Sequence, residues 1–226
     1  YVIKKINLFI NQTEEDLYLK FKINVHAKHR NNLLILKILN ISPENSKELK
    51  KANIEIKTIR VQKNGMPKES MSFPKISIAE FTEVNFEDSN IYNFFKKTTF
   101  LFIIFKEDEN GLYRLKGLKF WKMPIEDIES HVKKEWESYK IKFIEGVNFK
   151  ISSNGLKVKN DLPKKSKHKV FHLRPHSRKS AYIIDNKKYG NGSNSDMDVL
   201  INNNKIVHQS SWLNNTYIKE IIKDIL

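Results

Sequence analysis

The stretch Glu48-Leu-Lys-Lys-Ala-Asn-Ile-Glu-Ile-Lys57 combines two carboxylates and a lysine with the start of a β-strand. From Ile54 onward, β-branched residues alternate with polar ones, which predicts a short strand. Successive side chains of a strand point to opposite faces of the sheet. We therefore expect Glu55 and Lys57 to share one face, while the isoleucines between them enter the core.

A carboxylate and a lysine on one strand face are the elements of a site for a hard cation. With Glu48 as a second oxygen ligand, Glu55 would help to hold Mg²⁺, and Lys57 would orient or polarise an attacking water. This is the arrangement of the PD-(D/E)xK nuclease site. The alternative interpretation is a solvated strand face, because Glu-x-Lys recurs by chance in a lysine-rich chain, and Glu48-Leu49-Lys50 is a second instance.

Length and charge limit the classes of protein to consider. The chain has 226 residues, enough for one large domain with a sizeable core or for two small ones. Its net charge of +15 and pI near 9.7 favour a polyanionic partner, with nucleic acid first and an anionic membrane second. An AT-rich codon bias, which raises Lys, Asn and Ile together, is the alternative source of this charge.

Missing residue types exclude further classes. The chain has no cysteine, which excludes disulfides, thiolate metal sites and a cysteine nucleophile, and which fits a reducing cytoplasm. The longest apolar run, Phe100-Leu-Phe-Ile-Ile-Phe105, is far shorter than a bilayer crossing and predicts a buried strand. We therefore expect no membrane-spanning segment, and of the two polyanionic partners we expect nucleic acid and no membrane. The first residue is Tyr1 rather than Met, from which we expect a fragment of a longer protein.

Local patterns predict a mixed order of helices and strands, with an exposed basic segment over Lys157–Lys169. The predicted elements are a helix opening at Thr13, a buried helix over Asn32–Leu39, a helix from Ser89 through Lys97, strands over Phe100–Phe105 and Tyr113–Trp121, a long helix from Pro124 to Gly146 with Trp136 in its core, a strand over His168–Leu173, a mobile loop over Asn186–Asp198 and a final helix from Asn215.

Four further groups of residues carry a resemblance to a known family. They are Ile54-Glu-Ile-Lys-Thr-Ile-Arg-Val61 followed by Asn64-Gly-Met-Pro-Lys-Glu-Ser-Met-Ser-Phe73, then Phe94-Phe-Lys-Lys-Thr-Thr-Phe-Leu-Phe-Ile-Ile-Phe-Lys-Glu-Asp108, then Phe171-His-Leu-Arg-Pro-His176, and last Ser211-Trp-Leu-Asn-Asn-Thr-Tyr-Ile218. No single motif among them is decisive, but four in the same order are specific.

Together these stretches resemble the family of the mismatch-repair nickase MutH and the GATC-cutting type II restriction endonucleases of the Sau type, most closely the C-terminal half of the Sau-type enzymes. The resemblance covers nearly the whole chain, most firmly from Glu55 onward. It implies an α/β (α+β) fold with a restriction-endonuclease-like (PD-(D/E)xK, MutH-like) core, in which helices flank a mixed sheet. It also implies a single domain over residues 1–226, with one arm on each side of a DNA cleft.

The resemblance assigns roles residue by residue. Glu55 and Lys57 match the second carboxylate and the lysine of the family's catalytic site, and Lys96 matches a lysine near the catalytic centre. Glu48 stands where active members have Asp. Glu48 and Glu55 would be the metal ligands, with Mg²⁺ as the cofactor of the parent enzyme.

A second set of positions is implied to contact DNA. Arg174, Pro175 and His176 match the segment that enters the major groove, where the family has Arg-Pro followed by Lys or His. Trp212 stands where the nickase has a DNA-contacting Tyr.

Two departures from the family pattern alter the expected activity. Glu in place of Asp at position 48 adds a methylene to a metal ligand, and the region that carries an acidic residue on an early helix of active members is the apolar Leu33-Leu-Ile-Leu36. We therefore expect Glu48, Glu55, Lys57 and Lys96 to be remnants of an ancestral site.

Three hypotheses follow. The leading one is the C-terminal effector domain of a type II restriction endonuclease, which binds duplex DNA containing GATC and acts on an N-terminal catalytic domain of the same chain, with a dimer induced by DNA left open. The second is an active Mg²⁺-dependent nuclease domain of the MutH type. The third is a basic module that binds nucleic acid without sequence preference.

Overall fold

The computed structural model describes residues 1–27, 29–42, 46–177 and 179–226, without the side chains of Ser46, Glu48 and Lys50. The chain divides into two compact units. Unit 1 comprises residues 1–69, 95–123 and 215–226, and unit 2 comprises residues 70–94 and 124–214. A single domain over residues 1–226 remains a prediction.

The helices and strands alternate along the chain. The helices are α1 (Val2–Asn7), α2 (Glu14–Lys20), α3 (Arg30–Ile38), α4 (Ser46–Lys51), α5 (Ile78–Glu83), α6 (Asn90–Lys97), α7 (Ile125–Asp127), α8 (Lys133–Glu145) and α9 (Asn215–Ile222). The strands are β1 (Ile54–Val61), β2 (Met71–Lys75), β3 (Thr99–Glu107), β4 (Tyr113–Lys122), β5 (Phe149–Ile151), β6 (Val158–Asn160), β7 (Phe171–Pro175), β8 (Ala181–Ile184), β9 (Lys187–Gly190), β10 (Met197–Val199), β11 (Lys205–Val207) and β12 (Gln209–Leu213).

Unit 1 is built on a three-stranded mixed sheet. The predicted apolar strand is confirmed as β3, which lies between parallel β1 and antiparallel β4. On one face of the sheet, Ile54 and Ile56 pack into a core formed with helices α1 to α3. On the other face, Phe100 and Phe102 contact the ring of Trp121. Because strand side chains alternate, Glu55 and Lys57 project on this aromatic face.

Capping residues set several helix ends where the sequence predicts them. Thr13 Oγ1 accepts a hydrogen bond of 3.1 Å from the backbone N–H of Asp16 at the start of α2. The buried Ser89 does the same for Tyr92 in α6. Gly146 ends α8 with φ = +97°, a conformation that favours glycine.

Unit 2 contains two larger sheets and a ribbon. The strand order is β2-β12-β7 in one sheet and β10-β11-β8-β9 in the other, and β5 pairs with β6. The predicted long helix is confirmed as α7, a π-helical segment over Ile128–Val132 and α8 in succession. Trp136 is buried in its core, as predicted.

Two predicted boundaries are wrong. The predicted mobile loop over 186–198 contains β9 and β10, because Asp185 and Asn186 adopt φ of +48° and +63° and turn the chain from β8 into β9. Strand β7 begins at Phe171 rather than His168, because the register with β12 starts at the pair of Phe171 and Leu213.

The predicted fold class is confirmed, since mixed and antiparallel sheets flanked by helices make up both units. Among the described residues, no helix combines the length and the apolar character needed to cross a membrane.

Candidate nucleic-acid interface

The carboxylate and the lysine of β1 lie side by side, as the alternation predicts. Lys57 Nζ is 2.7 Å from Glu55 Oε1, and the two side chains are 22% and 33% exposed. Their register partners on β3 are Phe102 and Phe100, so the ion pair lies beside the aromatic face of the sheet. The lysine and the carboxylate therefore neutralise each other at the surface of unit 1.

The other two predicted members of this site lie at the same end of the sheet. Lys96 is exposed near the end of α6, directly before β3 begins. Glu48 belongs to α4, and its side chain lies outside the described part of the chain. Within the part that is described, no group of three or more His, Asp or Glu side chains could hold a metal ion. Of the two predicted ligands only Glu55 has a described side chain, so the Mg²⁺ site stays a prediction.

The predicted DNA-contacting residues lie in unit 2, on neighbouring antiparallel strands. In the register of β7 and β12, Trp212 is opposite His172 and Ser210 is opposite Arg174. Residues directly opposite each other project on the same face of a sheet. These four side chains therefore lie on one face of the sheet, which we call the recognition face. His172 and Ser210 are buried there, and Arg174 and Trp212 are partly exposed.

Strand β2 extends the recognition face on its other side. Ser72 pairs with Trp212 and Lys75 pairs with Ser210, with a register shift between the two pairs. Both Ser72 and Lys75 are exposed. Alternate residues of the same sheet, including Phe73, Phe171 and Leu213, are buried on the opposite face. One side of the sheet is thus polar and the other belongs to the core.

Arg174 lies over the indole of Trp212, with its guanidinium carbon 5.0 Å from the ring centroid. His172 stacks on the same indole, with ring centroids 6.4 Å apart and an interplanar angle of 28°. Arg174 has no hydrogen bond or salt bridge to any side chain in the described ranges. A guanidinium stacked in this way keeps its N–H edge free to meet an external acceptor.

The other two predicted residues lie at the end of β7. His176 Nδ1 is 2.7 Å from the Ser210 hydroxyl, and the His176 backbone N–H donates to the His208 carbonyl. Pro175 is exposed opposite Gln209. The fixed φ of a proline limits the motion of this strand end. The structure therefore brings Arg174, Pro175, His176 and Trp212 together around one strand end.

The charge of Arg174 affects two neighbouring groups, His172 and Lys165. Burial, and then the charge of Arg174, lower the pKa of His172 to about 3, so this imidazole is neutral at pH 7. Burial, followed by the same Arg174 charge, also lowers the pKa of Lys165. In both groups the Arg174 charge disfavours a second cation, and the same charge favours an anion.

Helix α8 holds the start of β7 through a buried carboxylate that the sequence did not reveal. Glu135 accepts hydrogen bonds from the backbone N–H groups of Lys169, Val170 and Phe171. Glu135 is 7% exposed. The only sequence signal was an acid beside the apolar stripe of this helix. Since its acceptors are satisfied by backbone donors, Glu135 fixes the strand that carries Arg174.

One turn further along α8, Tyr139 makes two backbone contacts. Its hydroxyl donates to the Pro163 carbonyl at 2.8 Å and accepts from the Leu173 N–H at 3.1 Å. Burial raises the pKa of Tyr139 to about 12, so the hydroxyl keeps its proton. The same helix side also carries Ser138, whose hydroxyl is 3.2 Å from His168 Nε2. Helix α8 thus holds both β7 and the basic segment that precedes it.

Comparison with known proteins identifies the family. Residues 39–135 match the family model described as DNA mismatch repair enzyme MutH. The type II restriction enzyme Sau3AI of Staphylococcus aureus is 34% identical over 256 aligned residues, which cover 100% of this chain and 51% of that protein. This chain belongs to the MutH and Sau-type restriction endonuclease family. Its fold is accordingly restriction-endonuclease-like, as the resemblance implied.

The two matches cover different parts of the chain. The MutH match includes the β1 ion pair and ends at Glu135, so β7 and β12 lie outside it. The likeness to the Staphylococcus aureus enzyme extends over all of the chain, including the recognition face. The chain spans about half the length of the curated relative it matches.

Proposed function

We propose that this chain is the DNA-binding half of a type II restriction endonuclease, and that it binds duplex DNA containing 5'-GATC-3' and regulates cleavage rather than performing it. Family membership and the span of about half the relative's length support this proposal. The observation that carries it is Arg174, a guanidinium without a carboxylate partner among the described residues, stacked on Trp212 in a lysine-rich unit.

Arg174 is suited to read a base. Arg can donate two hydrogen bonds to guanine O6 and N7 in the major groove, and GATC contains one guanine on each strand. The indole of Trp212 fixes the plane of the guanidinium, and His176 and Pro175 lie next to it at the strand end. A pre-oriented fork loses less entropy on binding. Binding of a phosphate by Arg174 is the alternative role.

The β1 region is suited to a remnant role. Glu55 is bound to Lys57, and the region that carries an acid in active members holds Leu34 and Ile35, both fully buried in the core. Glu48 has an additional methylene compared with Asp. A metal site tolerates little displacement of its ligands. The divalent-cation dependence of the parent enzyme, with Mg²⁺ as the ion, therefore belongs to the proposed N-terminal catalytic domain. That domain would be the partner of this chain in the cytoplasm. The two would act either as a monomer or in a dimer that DNA induces.

The test is to incubate the purified chain with a GATC duplex and a scrambled duplex of equal length, with and without Mg²⁺, and to measure binding and cleavage. We expect tighter binding to the GATC duplex, a steep loss of affinity as salt rises and no cleavage. Equal affinity for both duplexes would favour the non-specific module. Nicking by the wild type that is abolished in Lys57→Ala would favour the active nuclease.

A further inference from the structure

The two-stranded ribbon of β5 and β6 carries a pair of lysines directly opposite each other. In its register, Lys150 is the partner of Lys159, while Phe149 pairs with Asn160 and Ile151 pairs with Val158. Both lysines are exposed, and neither side chain has an ion pair or a hydrogen bond with the described part of the chain. Like charges directly opposite each other destabilise an antiparallel pair. The ribbon therefore holds a positive pair that its own fold leaves uncompensated.

The opposite face of the ribbon is attached to the rest of unit 2. The ring of Phe149 meets that of Tyr182 edge-on at 5.5 Å, and Asn160 Nδ2 is 3.5 Å from the Tyr182 hydroxyl. At the base of the ribbon, Asn148 donates to Asp161 through its backbone and its side chain. The ribbon is thus fixed from its apolar side, and the lysine face is the side presented to solvent.

An ordered turn at the tip of the ribbon presents an apolar side chain. Asn154 Oδ1 accepts hydrogen bonds from the Ser152 hydroxyl and the Leu156 N–H, and Gly155 adopts φ = +69°. Leu156 is 80% exposed, and the next residue, Lys157, is exposed as well. A short arm with lysines along one face and an aliphatic tip has the composition of elements that enter DNA grooves.

The positive charge continues from the ribbon to the recognition face. Strand β6 leads into the segment that carries Lys164, Lys165 and Lys167, and the charges of Lys165 and Arg174 act on each other. Tyr139 holds Pro163 in this segment and Leu173 in β7 through one hydroxyl. The ribbon and the base-reading strand are therefore connected by a fixed basic segment rather than by a free linker.

We propose that the β5–β6 ribbon is a second DNA-binding element, in which Lys150, Lys157 and Lys159 contact the phosphates of the duplex bound at the recognition face and Leu156 contacts the groove between them. This inference rests on the proposed function, because it requires that unit 2 binds duplex DNA. Phosphate contacts position a protein on the duplex without reading its sequence. The ribbon therefore raises affinity for every duplex, whereas Arg174 sets the preference for GATC.

The main test compares Lys150→Gln/Lys159→Gln with wild type on the GATC and scrambled duplexes over a range of salt. We expect affinity for both duplexes to fall by the same factor, and the slope of log affinity against log salt to become shallower by about 2, since each phosphate-bound lysine contributes about 1. The midpoint of thermal unfolding should stay unchanged or rise, because the substitution removes a repulsion. Loss of affinity together with gain of stability is not expected from misfolding.

The matched control is Lys4→Gln/Lys116→Gln, which removes the same charge from unit 1. Both control lysines are exposed, and neither has a side-chain partner in the described ranges. The control should keep the wild-type salt slope, because its lysines lie outside the ribbon. A control slope as shallow as that of the ribbon variant would mean that only overall charge matters, which overturns the inference.

Leu156→Ala tests the tip, with Leu19→Ala as its control, since both leucines are 80% exposed. We expect Leu156→Ala to lower affinity for both duplexes several-fold without changing the salt slope, and Leu19→Ala to have no effect. Vesicles of anionic lipid provide the competing partner. Ribbon-dependent binding to such vesicles, with unchanged DNA binding in the ribbon variants, would overturn the inference in favour of a membrane.

The outcomes separate the two proposals. If wild type binds neither duplex at low salt, the proposed function fails and the inference fails with it. If wild type prefers GATC while the ribbon variants match it in affinity and salt slope, the inference alone is wrong. If the ribbon variant loses the preference for GATC but keeps affinity for the scrambled duplex, the ribbon reads bases and the phosphate assignment is wrong.

Discussion

The strands β1 and β7 each carry a cation toward a sheet surface, and they differ in how that cation is neutralised. On β1, Lys57 lies 2.7 Å from Glu55. On β7, Arg174 lies over the indole of Trp212, without an acid among the described residues. An aromatic face orients a cation but does not cancel its charge. Of the two strands, β7 is therefore the one whose cation can bind an external anion.

The two strands also differ in how they are held. Strand β1 is held by its pairing with β3, by packing of its isoleucines and by the ion pair of the Arg60 side chain with the buried Glu14. Strand β7 differs in that a buried carboxylate and a buried hydroxyl of α8 bind its backbone. Polar groups of this kind fix a strand more closely than apolar contacts do, because hydrogen bonds depend on direction. Accurate placement is what a base-reading side chain needs.

The largest expected effect is on stability, from Glu135→Ala. This change leaves the N–H groups of residues 169–171 without their acceptor, and we expect it to lower the free energy of unfolding by about 3 kcal/mol or more. Denaturant unfolding measures the loss. The control is Glu137→Ala, an exposed position on the same helix, which should change stability by less than about 0.5 kcal/mol. Equal effects of the two changes would remove this distinction between β7 and β1.

The next effect is on specificity, from Arg174→Ala. We expect affinity for the GATC duplex to fall by about 1–3 kcal/mol, while affinity for the scrambled duplex changes little, because the lost contacts are to a base edge. Arg174→Lys sharpens the test, since lysine keeps the charge but cannot donate in a bidentate fork. If Arg174→Lys restores binding to both duplexes, Arg174 contacts phosphate and the bases are read elsewhere.

A third expected effect is on the free energy of unfolding in acid, from the buried His172 of the recognition face. The pKa of His172 is lowered to about 3 from an ordinary 6.5, so below pH 6.5 the unfolded chain binds a proton that the folded chain refuses. Stability contributed by the neutral imidazole is therefore lost as pH falls from 6.5 toward 3, by at most about 1.4 kcal/mol per pH unit. His172→Phe should flatten this part of the stability curve. Parallel curves for variant and wild type would contradict the assignment.

The smallest expected effect is on β1. Glu55→Ala and Lys57→Ala should each leave affinity for the GATC duplex within about two-fold and stability within about 1 kcal/mol, because partly exposed ion pairs contribute little. Titration of both variants against the GATC duplex measures this. A loss of binding comparable to that of Arg174→Ala would show that β1 takes part in recognition.

Elements with strong local signals were predictable from the sequence. The alternation around Glu55 predicted β1 and the shared face of Glu55 and Lys57, and the apolar run at Phe100 predicted β3, because both patterns follow directly from strand geometry. The turn at Asp185 and Asn186 was missed, since it uses two non-glycine residues with positive φ in place of the usual Asn-Gly. The sequence therefore predicts a loop where β9 follows this turn.

The arrangement of the candidate site required the structure. The family resemblance named Arg174 and Trp212, but their stacking follows from the antiparallel register of β7 and β12, which no local pattern encodes. The same holds for Glu135, whose backbone partners lie far along the chain. The pair Lys150 and Lys159 became visible as a repulsion only when the ribbon register was known.

The Tyr139 hydroxyl, which binds Pro163 and Leu173 together, also limits how the chain can evolve. Between these two positions, Lys164, Ser166, Lys167 and Lys169 are exposed and can change type at little cost, whereas Val170, Phe171 and His172 are buried. Their number cannot change in the same way, because an insertion or deletion would detach one of the two backbone groups from the hydroxyl or shift Arg174 along its strand. We therefore expect proteins that evolve from this one to differ in this segment by substitutions and not by insertions or deletions.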